Sequence, residues 1–310
     1  MTMTVGQFNF LLDRRISEIE DGYSPKETDM RSMFYSMPDP TNYIERGAAM
    51  NPRGPMRAFA GIHTYPDVAQ GYQWQSTHKQ FADGVQIERL LAMFDLHNYA
   101  GTRLMDLKNT GDITVQIHAA LLFNNGFSAS DATFDYSSTE GVATFGTHTT
   151  TSATADTSSG FINRGTSGLN WTSLKSALVS FRRFRNQEGQ PWGSDHQATA
   201  LVVPPELGPT AEELMGTKMG MSGINSEQTI KNILEGKYKV ITWNRLSDSN
   251  NWFLINESMC KEHNKFIVAQ EPELKQLTNM DEESAKCNIY GAWTVARTPV
   301  WQFGFGSEVS

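Results

Sequence analysis

The sequence predicts an α+β fold, and three observations carry that prediction. Residues 96–123 form one long stretch in which Leu96, Ala100, Leu104, Leu107, Val115, Ala119 and Leu122 stay close to one face at helical spacing. A shorter stripe of Leu174, Ala177, Leu178, Phe181 and Phe184 predicts a second helix over 172–185. Beyond residue 197 the apolar runs shorten to strand length. They are set among turn signals and short helices rather than in strict strand–helix alternation.

Residues 5–20 place Phe8, Leu11, Leu12, Ile16 and Ile19 on one side of a short amphipathic helix. From 21 to 55 the regularity fails, because Pro25, Pro38, Pro40, Pro52 and Pro55 interrupt a segment that still carries many Met and aromatic residues. It is too apolar for a disordered tail and too broken for a domain. It reads as an arm lying along another surface, the alternative being a loop wrapped around its own subunit. Residues 56–87 read as a two-stranded excursion with a long tip. AFAGIHTY precedes the turn signal Tyr65-Pro66-Asp67, and GYQWQSTHKQFADGVQIE follows with Tyr72, Trp74, Phe81, Val85 and Ile87. A lone two-stranded ribbon is marginal in water, so its apolar side should rest on something else.

Residues 87–94 read as a short helix leading into the long stretch. There Asp95 is the candidate N-cap and Asn124-Asn125-Gly126 the stop, for a helix of about 40 Å at 1.5 Å per residue. Gly101 and Gly111 each cost about 1 kcal/mol relative to Ala in a helix interior. They mark points of bending or of close approach by another backbone. The Thr-, Ser- and Gly-rich region after Gly126 reads as surface loop with a small hairpin at 142–145. Thr172 or Ser173 caps the next helix, Arg182, Arg183 and Arg185 fall largely on its outer side, and Glu188-Gly189-Gln190-Pro191 ends it. Residues 198–203 are a buried strand stopped by Pro204-Pro205. Thr210-Ala211-Glu212-Glu213 has capping-box spacing, and 226–234 is a further helix stopped by Gly236. Strands follow at 237–243, 252–255 and 266–269, and through the aromatic stretch 288–305.

The chain of 310 residues is 39% hydrophobic and only 19% charged, with net charge −8 and a pI near 5.4. That balance argues against a surface that grips nucleic acid, which needs a basic footprint. The two cysteines, Cys260 and Cys287, supply no disulfide framework. The N-terminus lacks a basic region before its apolar run, and no run reaches the ~18 residues of a membrane span. The chain reads as soluble, non-secreted and acidic, with no membrane partner.

The search for an active site yields no catalytic, cofactor-binding or metal-ligating residue. Gly220-Met221-Ser222-Gly223 is not a nucleophile elbow, and neither a Gly-Lys-Ser/Thr phosphate loop nor a strand-led G-x-G-x-x-G occurs. Cys260 and His263 have metal spacing but lack a further ligand. Asn170-Trp171-Thr172 and Asn256-Glu257-Ser258 match glycosylation acceptors by chance. The run Phe181-Arg182-Arg183-Phe184-Arg185 is the one nucleic-acid-like signal, and the net charge favours ion pairing over phosphate contact for its arginines. Two alternative functions follow: a hydrolase or transferase with an unrecognised site in 192–283, or a DNA-binding module using Arg182, Arg183 and Arg185.

Several motifs point elsewhere: LLFNNGF at 121–127, TFDYSSTEG and FGTHTT within 133–150, ALVSFRRFRNQEGQP at 177–191, ALVVPPEL and TAEEL within 200–214, and NWFLI at 251–255. With them, and in the order of its elements, the chain resembles the major capsid protein of tailed bacteriophages, with the Hong Kong 97-type fold. More specifically, the region 123–255 resembles the major head subunit family of Mu-like phages. The resemblance implies an N-terminal arm over 1–48, an extended loop over 49–87 and a peripheral domain over 88–191 containing the spine helix. It also implies an axial domain over 192–283 and a return to the peripheral domain over 284–310.

The implied function is self-assembly into hexamers and pentamers of an icosahedral shell around double-stranded DNA, without sequence-specific contact to it. Portal, scaffold and decoration proteins are the implied further partners. The implied location is the capsid shell of the virion, after synthesis in the host cytoplasm. Phe8, Leu12, Tyr72, Trp74, Lys79 and Phe81 are then the expected intersubunit contacts. The apolar arm fits that expectation, since it offers area with no obvious home in one chain. Some relatives crosslink a Lys of the extended loop to an Asn of another subunit; no local motif identifies such a partner for Lys79.

Overall fold

The structure, a computed structural model, describes residues 14, 16–19, 21–50, 56, 58, 59, 61, 63, 70–88, 99–152, 155–193, 196–216, 232, 234–278 and 284–309. Three sheets and one long helix organise them. The largest sheet runs in the order β5 (Arg164–Gly165), β11 (Gly304–Ser307), β8 (Trp252–Ile255), β6 (Ala200–Val203), β7 (Lys239–Thr242). β6 pairs in parallel with β7 and antiparallel with β8, which pairs antiparallel with β11. Every residue of β6, β8 and β11 is buried, because both faces of the sheet are covered. That is why ALVV and WFLI are unbroken apolar runs instead of alternating ones.

The second sheet is antiparallel, in the order β3 (Lys79–Glu88), β10 (Ser284–Ala296), β9 (Lys265–Thr278). The spine helix α2 (Tyr99–Ala119) lies across it and passes at Ala120 into the single turn α3 (Leu121–Asn124). Ala100, Leu104, Leu107, Val115, Ala119 and Leu122 are all buried, as their spacing predicts; Leu96 and Asp95 lie outside the described residues. Gly111 is a point of close approach. A Cβ there would stand 2.4 Å from Ile289 Cδ1 and 3.0 Å from Pro272 Cβ, so the helix rests directly on β10 and β9. Replacing Gly111 by Val therefore costs about 1–3 kcal/mol by overpacking, beyond any gain in helix propensity. Urea unfolding checks this, and an unchanged midpoint would refute the close packing.

The third sheet is small: β1 (Ile44–Met50), β2 (Gln70–Thr77) and β4 (Ser137–Ser138). β1 and β2 form the extended hairpin, so one of its strands comes from the segment expected to be arm and not from AFAGIHTY. The expected second strand also divides. It turns at His78, so that 70–77 and 79–88 enter different sheets, and Ile87 ends in β3, not in a helix.

Two helices cover the far face of the five-stranded sheet: α4 (Trp171–Arg182) and α5 (Gly208–Gly216). Asn170, not Thr172 or Ser173, caps α4; its side chain accepts from both their N–H groups while the Ser173 hydroxyl returns a bond to its backbone. α5 starts from the 3₁₀ turn Pro205–Leu207, which places Thr210 inside the helix and not at its cap. Asn256 caps the short helix α6 (Glu257–His263), so both glycosylation-like motifs are helix starts.

Several expectations change with the sheets. β9 is a 14-residue edge strand, and 266–269 is only its beginning. Its remainder, QEPELKQLT, buries Pro272 and Leu274 while Glu271, Glu273 and Lys275 face out, a pattern too polar to read as strand. The stretch 288–305 is not one strand: β10 ends at Ala296, and a 3₁₀ turn at Trp301–Phe303 leads into β11. The hairpin expected at 142–145 is absent, and Phe145 is instead fully buried in the central core. Nor do the sheets divide at residue 192. α4 packs with α5 on the five-stranded sheet, β9 lies beside β10 and β3, and β11 joins β8 instead of returning to β10.

Several apolar residues of the expected arm have a home in their own chain. A single turn, α1 (Arg31–Phe34), delivers Met30, Phe34 and Tyr35 into the central core. Phe34 stacks on Trp243 at 5.4 Å and meets Phe123 edge-on at 5.2 Å, and the Tyr35 hydroxyl donates to Ala119 O at 2.6 Å. Arg31 pairs with Glu271 at 2.9 Å, and Glu27 pairs with Arg245. Over these residues the alternative, a segment wrapped around its own subunit, is the one realised.

Candidate functional site

The hairpin is partly enclosed by its own subunit, and its attachment decides which residues remain available. β2 alternates exposed and buried positions, so Trp74 and Ser76 face the body. Trp74 clusters with Tyr136 and Ala296; the Ser76 hydroxyl meets Thr294 Oγ1 at 2.7 Å and donates to Val295 O at 2.9 Å. At the hairpin base, Glu45 accepts from the Thr41 hydroxyl at 2.6 Å and from the N–H groups of Thr41 and Asn42 at 2.7 and 3.0 Å. Burial alone would raise its carboxyl. These bonds and His78 outweigh that and hold it at about 2.

The six expected contact residues are distributed accordingly. Phe8 and Leu12 lie outside the described residues. Trp74 is buried in its own subunit. Phe81 packs on the central core with its ring 4.5 Å from His118 and 4.6 Å from Trp293. Tyr72 is half-buried and bonds to Thr149 Oγ1 at 2.8 Å, and Lys79 pairs with Asp135 of the same chain. Among the large apolar groups that do reach solvent, three on and beside the hairpin were missed: Tyr43 at 67% exposure, Phe59 at 70%, and Met56, fully exposed. Their signal was an apolar residue isolated between prolines and arginines, as in NPRGPMRAF.

The three arginines do not share a helix face. α4 ends at Arg182, Arg183 is its C-cap, and Arg185 lies beyond, pairing with Asp156 at 3.5 Å and donating to Gly189 O at 3.2 Å. Arg182 reaches the neutral Gln197 at 3.4 Å. Within 192–283, Cys260 is enclosed; burial pushes its thiol up to about 12, and it donates to Phe34 O at 3.5 Å. Among the described residues no group of three or more His, Cys, Asp or Glu is placed to hold a metal ion. Nor, among them, is any helix long and apolar enough to cross a membrane.

One polar cluster has the composition of a catalytic site but not its access. His148 Nδ1 faces Glu140 Oε1 at 3.0 Å, and its Nε2 faces Asn163 Oδ1 at 3.2 Å. Its ring stacks on Trp301 at 4.5 Å. Asn163 is the hub. Its Nδ2 donates to the carbonyls of Thr144, Trp301 and Gly304 at 2.9, 3.3 and 3.0 Å, while Oδ1 accepts from Gly146 N at 2.7 Å. Since Nδ2 is committed to carbonyls, Oδ1 must face His148, whose Nε2 is then the donor. His148 and Asn163 are buried, so the cluster ties the 140–148 loop to the 301–306 turn without meeting solvent.

Two other histidines couple folding to pH. Burial lowers His118 and His196 from 6.5 to about 4, and Trp293 Nε1 donates to His118 Nδ1 at 3.1 Å, which fixes the neutral ring. The unfolded chain therefore takes up protons that the folded one refuses. The contribution of these two rings to stability is level above about 6.5 and falls as pH drops from about 6.5 towards about 4. Urea midpoints at pH 7.5 and 4.5 check this, and equal values would sink the assignment of both rings as neutral.

The fold is shared with phage capsid subunits. A subunit of the mature capsid of bacteriophage PhiM1 superposes with a TM-score of 0.60 at 8% identity, over 93% of this chain and 89% of that one. The capsid subunit of cyanophage P-SCSP1u gives 0.57 at 9% identity, over 93% and 90%. The bacteriophage JBD30 capsid subunit gives 0.53 at 13% identity, over 80% and 100%. Identities this low establish the fold alone, which is of the Hong Kong 97 type. No curated protein sequence matches the chain. The sequence model of one family, described as phage capsid protein, matches residues 128–293, more than half of the chain. The chain belongs to the phage capsid protein family.

Proposed function

We propose that this chain is a major capsid subunit that assembles with copies of itself into hexamers and pentamers of an icosahedral shell enclosing double-stranded DNA. The family match over 128–293 carries this reading. The solvent-facing Tyr43, Met56 and Phe59 on and beside the hairpin support it, since large apolar groups of a subunit that assembles find cover on its neighbours. The net charge of −8 suits a shell whose contents must not adhere to it.

Sheet membership supports a revised division of the subunit. The five-stranded sheet with α4 and α5 is the axial part, and the spine with β3, β10 and β9 is the peripheral part. Electron microscopy of the purified chain, alone and with the scaffold of its own phage, tests the reading. Rings or closed shells are the expected result; monomers under every condition would overturn it. Deletion of residues 1–48 is not a clean test of an arm, because it removes Phe34, Tyr35 and most of β1 from the folded subunit.

A further inference from the structure

We propose that the outer edge of β1 is a strand-addition site, along which a second copy of this chain lays an extended segment at Ile44, Arg46 and Ala48. The proposal rests on the assembly reading above and goes beyond it by naming the surface and the mode of contact.

The ladder fixes which groups face outwards. Tyr43 stands opposite His78 in the hairpin register, and His78 N donates to Tyr43 O at 3.0 Å. In an antiparallel pair, bonded and non-bonded positions alternate. Glu45 and Gly47 therefore bond to Ser76 and Trp74, and Ile44, Arg46 and Ala48 turn their N–H and C=O groups away from β2. The same alternation is visible on β2, whose outward groups are taken up: Thr77 N donates to Phe134 O at 2.8 Å, and Gln73 O accepts from Thr139 N at 2.9 Å. β1 is terminal in the order β1-β2-β4, and among the described residues nothing bonds to its outer edge.

Two other sheet ends of this fold, β9 and β7, are guarded. On β9, Pro272 removes a donor, Glu271, Glu273 and Lys275 face out, and Ser36 covers the strand's start through bonds to Asn264 O and from Phe266 N, both 2.9 Å. β7 is only four residues long. β1 has seven residues and no proline, and on its open face lie Ile44, Arg46 and Ala48, all exposed, with Tyr43 beside them. An unguarded edge of that length is a hazard in a protein that must remain single and a docking surface in one that must not. The charge pattern favours a second copy as the occupant. Arg46 makes no ion pair among the described residues, and a copy with net charge −8 brings a surplus of carboxylates to face it.

Amide hydrogen exchange on dissociated subunits and on purified particles is the test, alongside Ala48→Pro and Arg46→Glu. In dissociated subunits the Glu45 and Gly47 amides should be protected and those of Ile44, Arg46 and Ala48 not. In particles the latter three should slow by at least roughly tenfold. Ala48→Pro removes an outward N–H without touching the β1–β2 ladder, so it should leave the folded monomer intact and reduce particle yield at least roughly tenfold. Arg46→Glu should weaken assembly in a salt-dependent way. If wild-type chain forms no particles, the assembly reading fails. If it forms particles in which the three amides exchange as fast as in subunits, and Ala48→Pro assembles normally, the edge proposal alone is overturned.

Discussion

Replacing Phe34 by Ala lowers the unfolding free energy by about 3–5 kcal/mol, the range for deleting a fully buried aromatic ring that its surroundings cannot refill. Phe34 has no solvent exposure and lies between Trp243, Phe123 and the top of α6, so the vacated space is walled by rings too rigid to collapse inwards. The shift should appear in urea unfolding of the isolated subunit, before any assembly. A cost below about 1 kcal/mol would mean that the 30–35 segment is not integral to the core. The outcome matters because the same apolar residues, read from sequence, suggested an arm bound to a neighbour.

The Asn163→Ala substitution comes next in size, at about 3 kcal/mol or more. Two buried carbonyls and one partly buried one lose their donor, and Gly146 N–H and His148 lose their acceptor. Each buried polar group left unmet costs about 1–3 kcal/mol, and partial rearrangement recovers some of the sum. Asn163→Asp, although isosteric, aims a carboxylate oxygen at three carbonyls and should be no milder. Thermal unfolding of both variants is the check. Loss of only a few tenths of a kcal/mol in Asn163→Ala would show that the hub is not a unit.

Sequence and structure agree where one short-range regularity decides the outcome. The spine was legible because burial on one face of a helix imposes a period that survives two glycines. β6 and β8 were legible because burial on both faces leaves an unbroken apolar run. β9 was not, since an edge strand with one solvent face and a proline at its bulge looks like loop. Asn163 was invisible for a related reason: a lone asparagine in NRGTSG has turn composition, and only the fold brings five partners to it. Trp74 and Phe81 show a different limit. An apolar residue in an extended segment fits its own subunit as well as a neighbour, and composition does not distinguish the two. The sheets themselves were not legible, because strand pairing is non-local and β9 and β11 pair with partners distant in the chain.

The central core joins parts that the sheets keep apart. Val202, Ile241 and Phe253 of the five-stranded sheet, Trp293 and Val295 of β10, Phe123 of α3 and Phe34 share one continuous cluster. A closed surface tiled with both five-fold and six-fold rings requires the same tile to meet its neighbours at more than one dihedral angle. A tile with a seam could crease along it; this one has none, since creasing would open close-packed rings to water. The β1–β2 hairpin, by contrast, is held by the small cluster of Trp74, Tyr136 and Ala296 together with the Glu45 and Ser76 hydrogen bonds. On the assembly reading proposed above, differences in curvature from one ring to the next would be taken up at the hairpin and not within the body of the tile.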